Sequence, residues 1–368
     1  MFLVRNGYIK HTASYYFLGC FAASTILFSF KLDMKNIFTW FPALLYGIII
    51  SVRNAFYDWG WFKSHHFDKP KTIVVGNLAV GGTGKSPLVA YLIHHASWNN
   101  SVGILSRGYG RISKGFKWVE LSSAAAEVGD EPLTYKTTFP QMHVAVCESR
   151  VTGIQQMIEQ IPEIETVILD DAFQHRALKA DFNIICTTYD QPYFEDHLMP
   201  MGRLREWRSG IERADAVVVT RCPSMLDHQQ IDRFQLEIRK PVFFASIRYG
   251  KPQGIQEFSH MSWHALAGIA DPSLFFEQVK KIGVMKSTQS YPDHHRFTQA
   301  ELHDLNTKAA KMAEDEAFIT THKDYVRLQA AYQEFPDLAN KLAYLPMEMY
   351  FLKREAEFWS LLNQSLTR

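Results

Sequence analysis

The sequence predicts an α/β fold in three parts: an N-terminal membrane-associated helix, a parallel sheet domain and a second, smaller α/β domain. Three observations carry this. After Pro70, short β-branched runs alternate with helical patterns, the texture of repeated βαβ units. One of those runs opens into a glycine-rich turn ending in Gly84-Lys85-Ser86, which makes the sheet P-loop NTPase-like. Another, Val167-Ile168-Leu169, ends in the paired carboxylates Asp170 and Asp171. A chain of 368 residues exceeds what one compact core usually holds, so the parts are placed at residues 1–63, 64–238 and 239–368.

The composition narrows the function classes. With 47% hydrophobic and 21% charged residues the composition is that of an ordered protein, and a net charge of +1 lacks the basic footprint of a nucleic-acid binder. Four dispersed cysteines, Cys20, Cys147, Cys186 and Cys222, form no C-x-x-C pair and suit a reducing compartment without structural zinc. The doublets His65-His66, His94-His95 and His294-His295 point their side chains apart and make poor bidentate ligands.

From Thr12 to Phe30 no residue carries a formal charge, which reaches the length of a spanning helix. Its serines, threonines and glycine leave a signal peptide, or translation starting at Met34, as competing readings. The stretch Phe38 to Phe62 sets bulky apolar groups against Arg53, Asn54 and Asp58. Trp40, Tyr46, Tyr57, Trp59 and Trp61 suit an interfacial helix at a lipid surface; a helix packed on the domain's own core fits the pattern nearly as well.

Strands of the sheet domain are expected at Thr72 to Gly76, Val102 to Leu105, His143 to Val146, Thr166 to Leu169, Asn183 to Thr187 and Ala216 to Thr220. Helices should follow Gly84, Asp130 and Ser149. The smaller unit should begin near Pro241, with strands around Val242 to Ile247, Ala265 to Ile269 and Phe318 to Thr320. Its helices are expected near Asp271 to Ile282 and Thr298 to Ala313.

The chemistry is concentrated in Ile73 to Pro87. In the turn Ala79-Val80-Gly81-Gly82-Thr83-Gly84-Lys85-Ser86, backbone N–H groups can close around phosphate oxygens at a helix N-terminus. Lys85 can reach the β and γ phosphates of ATP and Ser86 can ligate Mg²⁺. Ala79 stands where the usual pattern has its first glycine. Asp170 and Asp171 resemble the acidic end of a Walker B strand, where a carboxylate holds Mg²⁺; taken alone, such a pair is more often a helix cap. Two further segments, Ser106-Arg107-Gly108-Tyr109-Gly110-Arg111 and Gly129-Asp130-Glu131-Pro132, have plain turn-and-cap explanations, and spacing alone gives Asp130 no role as a base.

Taken in order, Gly-Gly-Thr-Gly-Lys-Ser-Pro, Ser-Arg-Gly-Tyr-Gly, Gly-Asp-Glu-Pro, Leu-Asp-Asp-Ala-Phe-Gln-His, Leu-Arg-Glu and Asp-His-His resemble the tetraacyldisaccharide 4′-kinase family, the lipid A kinases. The resemblance runs from Phe41 to Lys323. It implies transfer of the ATP γ-phosphate to the 4′-hydroxyl of an acylated glucosamine disaccharide 1-phosphate, at the cytoplasmic face of the bacterial inner membrane. By the same resemblance Asp130 acts as base with His294 in support, Glu131, Asp170 and Asp171 lie near Mg²⁺, and Arg205 lies near the phosphates. This chain departs from the family at Trp207, where proline is usual, at Ala172, where glycine is usual, and at His322, where a Thr-Glu-Lys-Asp motif has glutamate. The rival class is a P-loop GTPase or ATPase switch that passes phosphate only to water, in which His294 would have no part.

Overall fold

The computed structural model describes residues 34–95, 102–255, 260–293, 295–329 and 331–367. In chain order the strands are β1 Lys71–Gly76, β2 Val102–Ser106, β3 Lys117–Trp118, β4 His143–Val146, β5 Thr166–Asp170, β6 Phe182–Thr188, β7 Ala216–Thr220, β8 Val242–Tyr249, β9 Ser262–Ala267, β10 Val284–Ser290, β11 Glu316–Thr321, β12 Leu342–Leu345 and β13 Met347–Lys353. Nine of them form one sheet in the order β13-β8-β7-β6-β1-β5-β2-β4-β3, and four form a second in the order β10-β9-β11-β12. In the large sheet only β3 and β13, at the two edges, run antiparallel to their neighbours.

The interior strands read as continuous apolar runs because both of their faces are covered. Val74, Leu169, Ile185, Val217 and Val219 belong to one core layer, with Ile154 and Met157 of the helix Arg150–Gln160 and Phe234 of the helix His228–Ile238. Ile73, Val75, Ile168, Ile184 and Val218 belong to the other, with Leu88 and Leu92 of the helix Lys85–His95. Pro87 fits the first turn of that last helix, where a missing N–H costs nothing.

The division expected at residue 239 falls elsewhere. The strand β8, expected to open the smaller unit, pairs in parallel with β7 through Val217↔Val242 and Val219↔Phe244. The strand β13 then returns to pair with β8. The smaller unit is therefore an excursion between the two, and its connections are tied where Gly250 N–H donates to the Pro346 carbonyl at 2.9 Å. Val242-Phe243-Phe244-Ala245 is a buried run that satisfies an interior strand of either sheet, so periodicity cannot say which one it joins.

The helix Met34–Asp58 ends before Phe62, and Trp59 to Phe62 form a turn closed by Phe62 N–H on the Phe56 carbonyl. Ala43 and Gly47 are buried against the sheet domain, whereas Phe38, Phe41, Leu45, Ile48, Ile49 and Val52 are exposed. One face of the helix packs on the domain, as the second expectation has it, and the other is an open apolar surface. No helix among the described residues is long and apolar enough to cross a membrane. The run Thr12 to Phe30 lies outside the described residues.

The helix Glu355–Leu366 closes the chain beneath the large sheet. Phe358 is fully buried there, with ring centroids 5.3 Å from Phe243 and 4.8 Å from Phe351. Replacing Phe358 by alanine should lower stability by about 3–5 kcal/mol, read as a fall in the urea midpoint. An unchanged midpoint would mean this helix is not part of the core.

Candidate active site

The carboxyl end of β1 delivers the phosphate-binding turn. Gly76 is compelled by packing, since a methyl there would come within 2.5 Å of Phe173 Cβ. The buried Asn77 donates through Nδ2 to Thr83 Oγ1 at 2.8 Å and ties the two ends of the turn together. Gly81 and Gly84 take φ of +104° and +83°, a region that favours glycine. A side chain at Gly81 would meet nothing within 4 Å, which marks the open mouth of the turn. Ala79 needs no glycine because its φ is negative; it forms a β-bridge with Leu204 instead.

Around that mouth the structure gathers most of the residues singled out in the sequence. Lys85 Nζ lies 3.7 Å from Asp171 Oδ1, and Arg205 Nη1 donates to the same oxygen at 2.8 Å. Ser86 Oγ donates to Glu131 Oε1 at 3.0 Å, and Lys323 Nζ reaches that oxygen at 2.6 Å from the smaller unit. Asp130 is the first residue of the helix Asp130–Thr138, directly after its N-cap Gly129. Its Oδ2 pairs with Arg327 Nη2 at 2.6 Å, and Arg327 Nη1 pairs with the buried Asp324 at 2.5 Å. His294 lies outside the described residues. Asp293 acts electrostatically on Arg327, and Arg296 donates to the Gly110 carbonyl at 2.7 Å, so Arg296 meets the loop Ser106 to Arg111. The two units already touch through Lys323, Arg327 and Arg296.

Asp170 is the electrostatic anomaly. It is fully buried, and among the described residues no well-formed hydrogen bond reaches either carboxylate oxygen, although the Tyr135 hydroxyl lies against it. Burial, aided by the charges of Glu131 and Asp171, pushes its pKa up to about 7. A buried carboxyl left this way is costly unless it meets a cation. Burial also pushes Glu131 up, but the Lys323 ammonium outweighs it and holds the carboxyl well below its ordinary range. Lys323 moves the opposite way for the same reason, its pKa raised by Glu131 against the effect of burial. Among the described residues no three His, Cys, Asp or Glu side chains form a closed metal cage; Mg²⁺ ordinarily takes only one or two carboxylates plus phosphate oxygens, and Asp170, Glu131 and Ser86 suit that donor set.

The departures have local explanations. At 171–172 the left-handed residue is Asp171, with φ of 48°, so Ala172 needs no glycine. Trp207 uses its indole N–H on Ser51 Oγ and the Gly47 carbonyl, at 2.9 and 3.2 Å, and so fastens the loop to the N-terminal helix. His322 stacks on Tyr344 with centroids 4.3 Å apart. Sequence reasoning missed Arg327, Arg150, Tyr135 and Thr220. Arg150 is 3% exposed beside Asp170 and Asp171, with burial lowering its pKa to about 10. Tyr135 lies against Asp170, Glu131 and Ser86, its hydroxyl pushed up by burial. Only Arg327 left a trace in the sequence, three positions after Asp324 on one helix face.

A parallel sheet with a glycine-rich turn at a helix start, an acidic pair on the adjacent strand and converging cations defines a P-loop nucleotide-binding protein built for phosphoryl chemistry. A family model for tetraacyldisaccharide-1-phosphate 4′-kinase matches residues 36–367, and the chain belongs to that family. The tetraacyldisaccharide 4′-kinase of Flavobacterium johnsoniae is 41% identical over 330 residues, covering 86% of this chain and 94% of that protein. That of Bacteroides thetaiotaomicron is 36% identical over 338 residues, covering 85% and 88%. A crystal structure of the "apo" form of LpxK from Aquifex aeolicus in complex with ATP matches with a TM-score of 0.70 at 30% identity, covering 88% of this chain and 97% of that one.

Burial lowers the pKa of His322 from 6.5 to about 4, so the folded chain keeps it neutral where the unfolded chain protonates it. Stability from this residue is therefore lost as pH falls through about 6.5 toward 4. The variant His322→Gln should lose less stability than the wild type between about pH 7 and about pH 5, measured as urea midpoints. Equal losses would contradict the burial of this ring.

Proposed function

We propose that this chain transfers the γ-phosphate of ATP to the 4′-hydroxyl of an acylated glucosamine disaccharide 1-phosphate, the step its family name describes in lipid A synthesis. The observation that carries the reading is the convergence of Lys85, Ser86, Glu131, Asp171 and Arg205 around one open glycine-rich turn, with Asp130 beside Glu131 on the adjoining helix. Family membership and the ATP complex of the Aquifex relative support the nucleotide.

Phosphoryl transfer needs positioning and charge neutralisation more than covalent help. Backbone N–H groups of Gly81 to Ser86 cradle the phosphates, Lys85 neutralises their charge, and Arg205 leaves Asp171 to do the same. Ser86, Glu131, Asp170 and Asp171 form the environment of Mg²⁺, which when bound screens the charge of the phosphate chain. Asp130, oriented by Arg327, takes the proton of the 4′-hydroxyl, with His294 in support. The exposed face of Phe38 to Val52 fits an acyl-chain surface, and an apolar patch of this kind is the mark of a membrane or partner contact. We place the chain on the cytoplasmic face of the inner membrane, where ATP and the lipid meet.

The test is incubation with Mg²⁺-ATP and the acylated disaccharide 1-phosphate, with mass analysis of the lipid. A lipid carrying one added phosphate is expected; ATP hydrolysis without a lipid product would contradict the proposal and favour a switch. In the same assay Asp130→Ala should lose about 10²- to 10⁴-fold in kcat with KM for ATP kept. Near-normal turnover would remove Asp130 from the role of base.

A further inference from the structure

The end of β7 is pressed onto the phosphate-binding turn. Thr220, its last residue, is fully buried, and its Oγ1 donates to the Thr83 carbonyl at 2.9 Å and lies 3.2 Å from the Thr187 carbonyl. A methyl at Gly84 would come within 2.9 Å of Thr220 Cγ2. The next residue, Arg221, takes a left-handed φ of 56°, uncommon for a side chain of this size. That turn is held from both sides. Cys222 N–H donates to the Ala245 carbonyl at 3.1 Å, Ser246 Oγ donates to the Cys222 carbonyl at 2.6 Å, and Tyr189 N–H donates to the Thr220 carbonyl at 2.9 Å.

The consequence is the direction of one side chain. The Arg221 guanidinium lies over the turn, with Nη2 only 3.1 Å from where a Cβ on Gly82 would stand. It is exposed, and among the described residues no hydrogen bond or ion pair fastens it. Tyr249 and Asp271 act on it electrostatically, and the Asp271 carboxylate is already bonded to Ser273 N–H at 3.1 Å.

Sheet order gives the ligand a polarity. Asp170 and Asp171 follow β5 on one side of β1, whereas Arg221 follows β7, two strands away on the other side. Ligands of such sheets lie across the carboxyl ends of the strands. A nucleotide whose transferred phosphate faces Asp170 and Asp171 therefore extends its nucleoside toward β6 and β7. A planar guanidinium stacks on the face of a base and resists the hydration that an ammonium holds.

We propose that Arg221 packs against the nucleoside of the bound ATP, so that it holds the base and ribose rather than the phosphates. This rests on the nucleotide reading above and adds the residue that grips the nucleotide's other end. The test is equilibrium binding of ATP and of inorganic tripolyphosphate to the full chain and to Arg221→Asn and Arg221→Lys. Asparagine tolerates the left-handed backbone, and a matching thermal midpoint confirms that each variant folds. Arg221→Asn should weaken ATP about tenfold, the size of one stacking or cation–π contact, and leave tripolyphosphate unchanged; Arg221→Lys should fall between. Unchanged ATP affinity, or an equal loss for tripolyphosphate, would overturn the proposal. Phosphate transfer to the lipid by the wild type is scored separately, so a failure there touches the proposed reaction while this binding result stands.

Discussion

Leu204 lies antiparallel to Ala79, with Val80 N–H donating to the Arg203 carbonyl at 2.8 Å and Arg205 N–H to the Leu78 carbonyl at 2.7 Å. Through this short brace the chain from Arg203 to Glu206 is fixed along the exit of β1. Arg205 and the contacts to the N-terminal helix reach the site through it. The Arg205 side chain reaches Asp171, its carbonyl accepts from the Tyr46 hydroxyl at 2.7 Å, and Trp207 fastens to Gly47 and Ser51. Glu206, 2% exposed, accepts from Arg213 with both oxygens, from Gln174 at 3.0 Å and from Asn54 at 3.4 Å. Gln174 in turn donates to the Asn77 carbonyl at 2.8 Å. A buried carboxylate with four such bonds is stable only while all its partners stay in place. The N-terminal helix, the phosphate-binding turn and the acidic strand end are therefore one mechanical unit.

That arrangement explains how a helix with an exposed apolar face can serve a nucleotide site. The apolar face of Phe38 to Val52 points away from the protein, and the opposite face carries Tyr46, Gly47 and Asn54 onto the brace. Gly47 is necessary at the contact, since a methyl there would come within 2.6 Å of the Trp207 ring. Proline at position 207 would have no N–H to give Ser51. Tryptophan thus makes a tighter seam in this chain than the usual family residue could.

The sheet strands were legible because parallel interior strands must be apolar on both faces, and Ile73-Val74-Val75 and Val167-Ile168-Leu169 can hardly be anything else. The phosphate-binding turn was legible because its chemistry is local: glycines, Lys85 and Ser86 follow one another. The sheet membership of β8 was not, because a buried run looks the same in either sheet. Nor were Arg327, Arg150 and Thr220, whose importance comes from residues far away in sequence; Thr220 touches Thr83 across 137 positions. Asp130 shows the limit of local reasoning. Its position suits a cap, yet the structure gives its carboxylate to Arg327, 197 positions later.

If the brace couples helix to nucleotide site, disturbing Glu206 should be felt in both at once. Hydrogen–deuterium exchange on the wild type and on Glu206→Gln measures this directly, because glutamine keeps the shape but cannot satisfy Arg213. The expected result is faster exchange together in the helix Met34–Asp58 and in the turn Leu78 to Ser86. Loosening of the helix with the turn unchanged would contradict the coupling on which this account of the site rests.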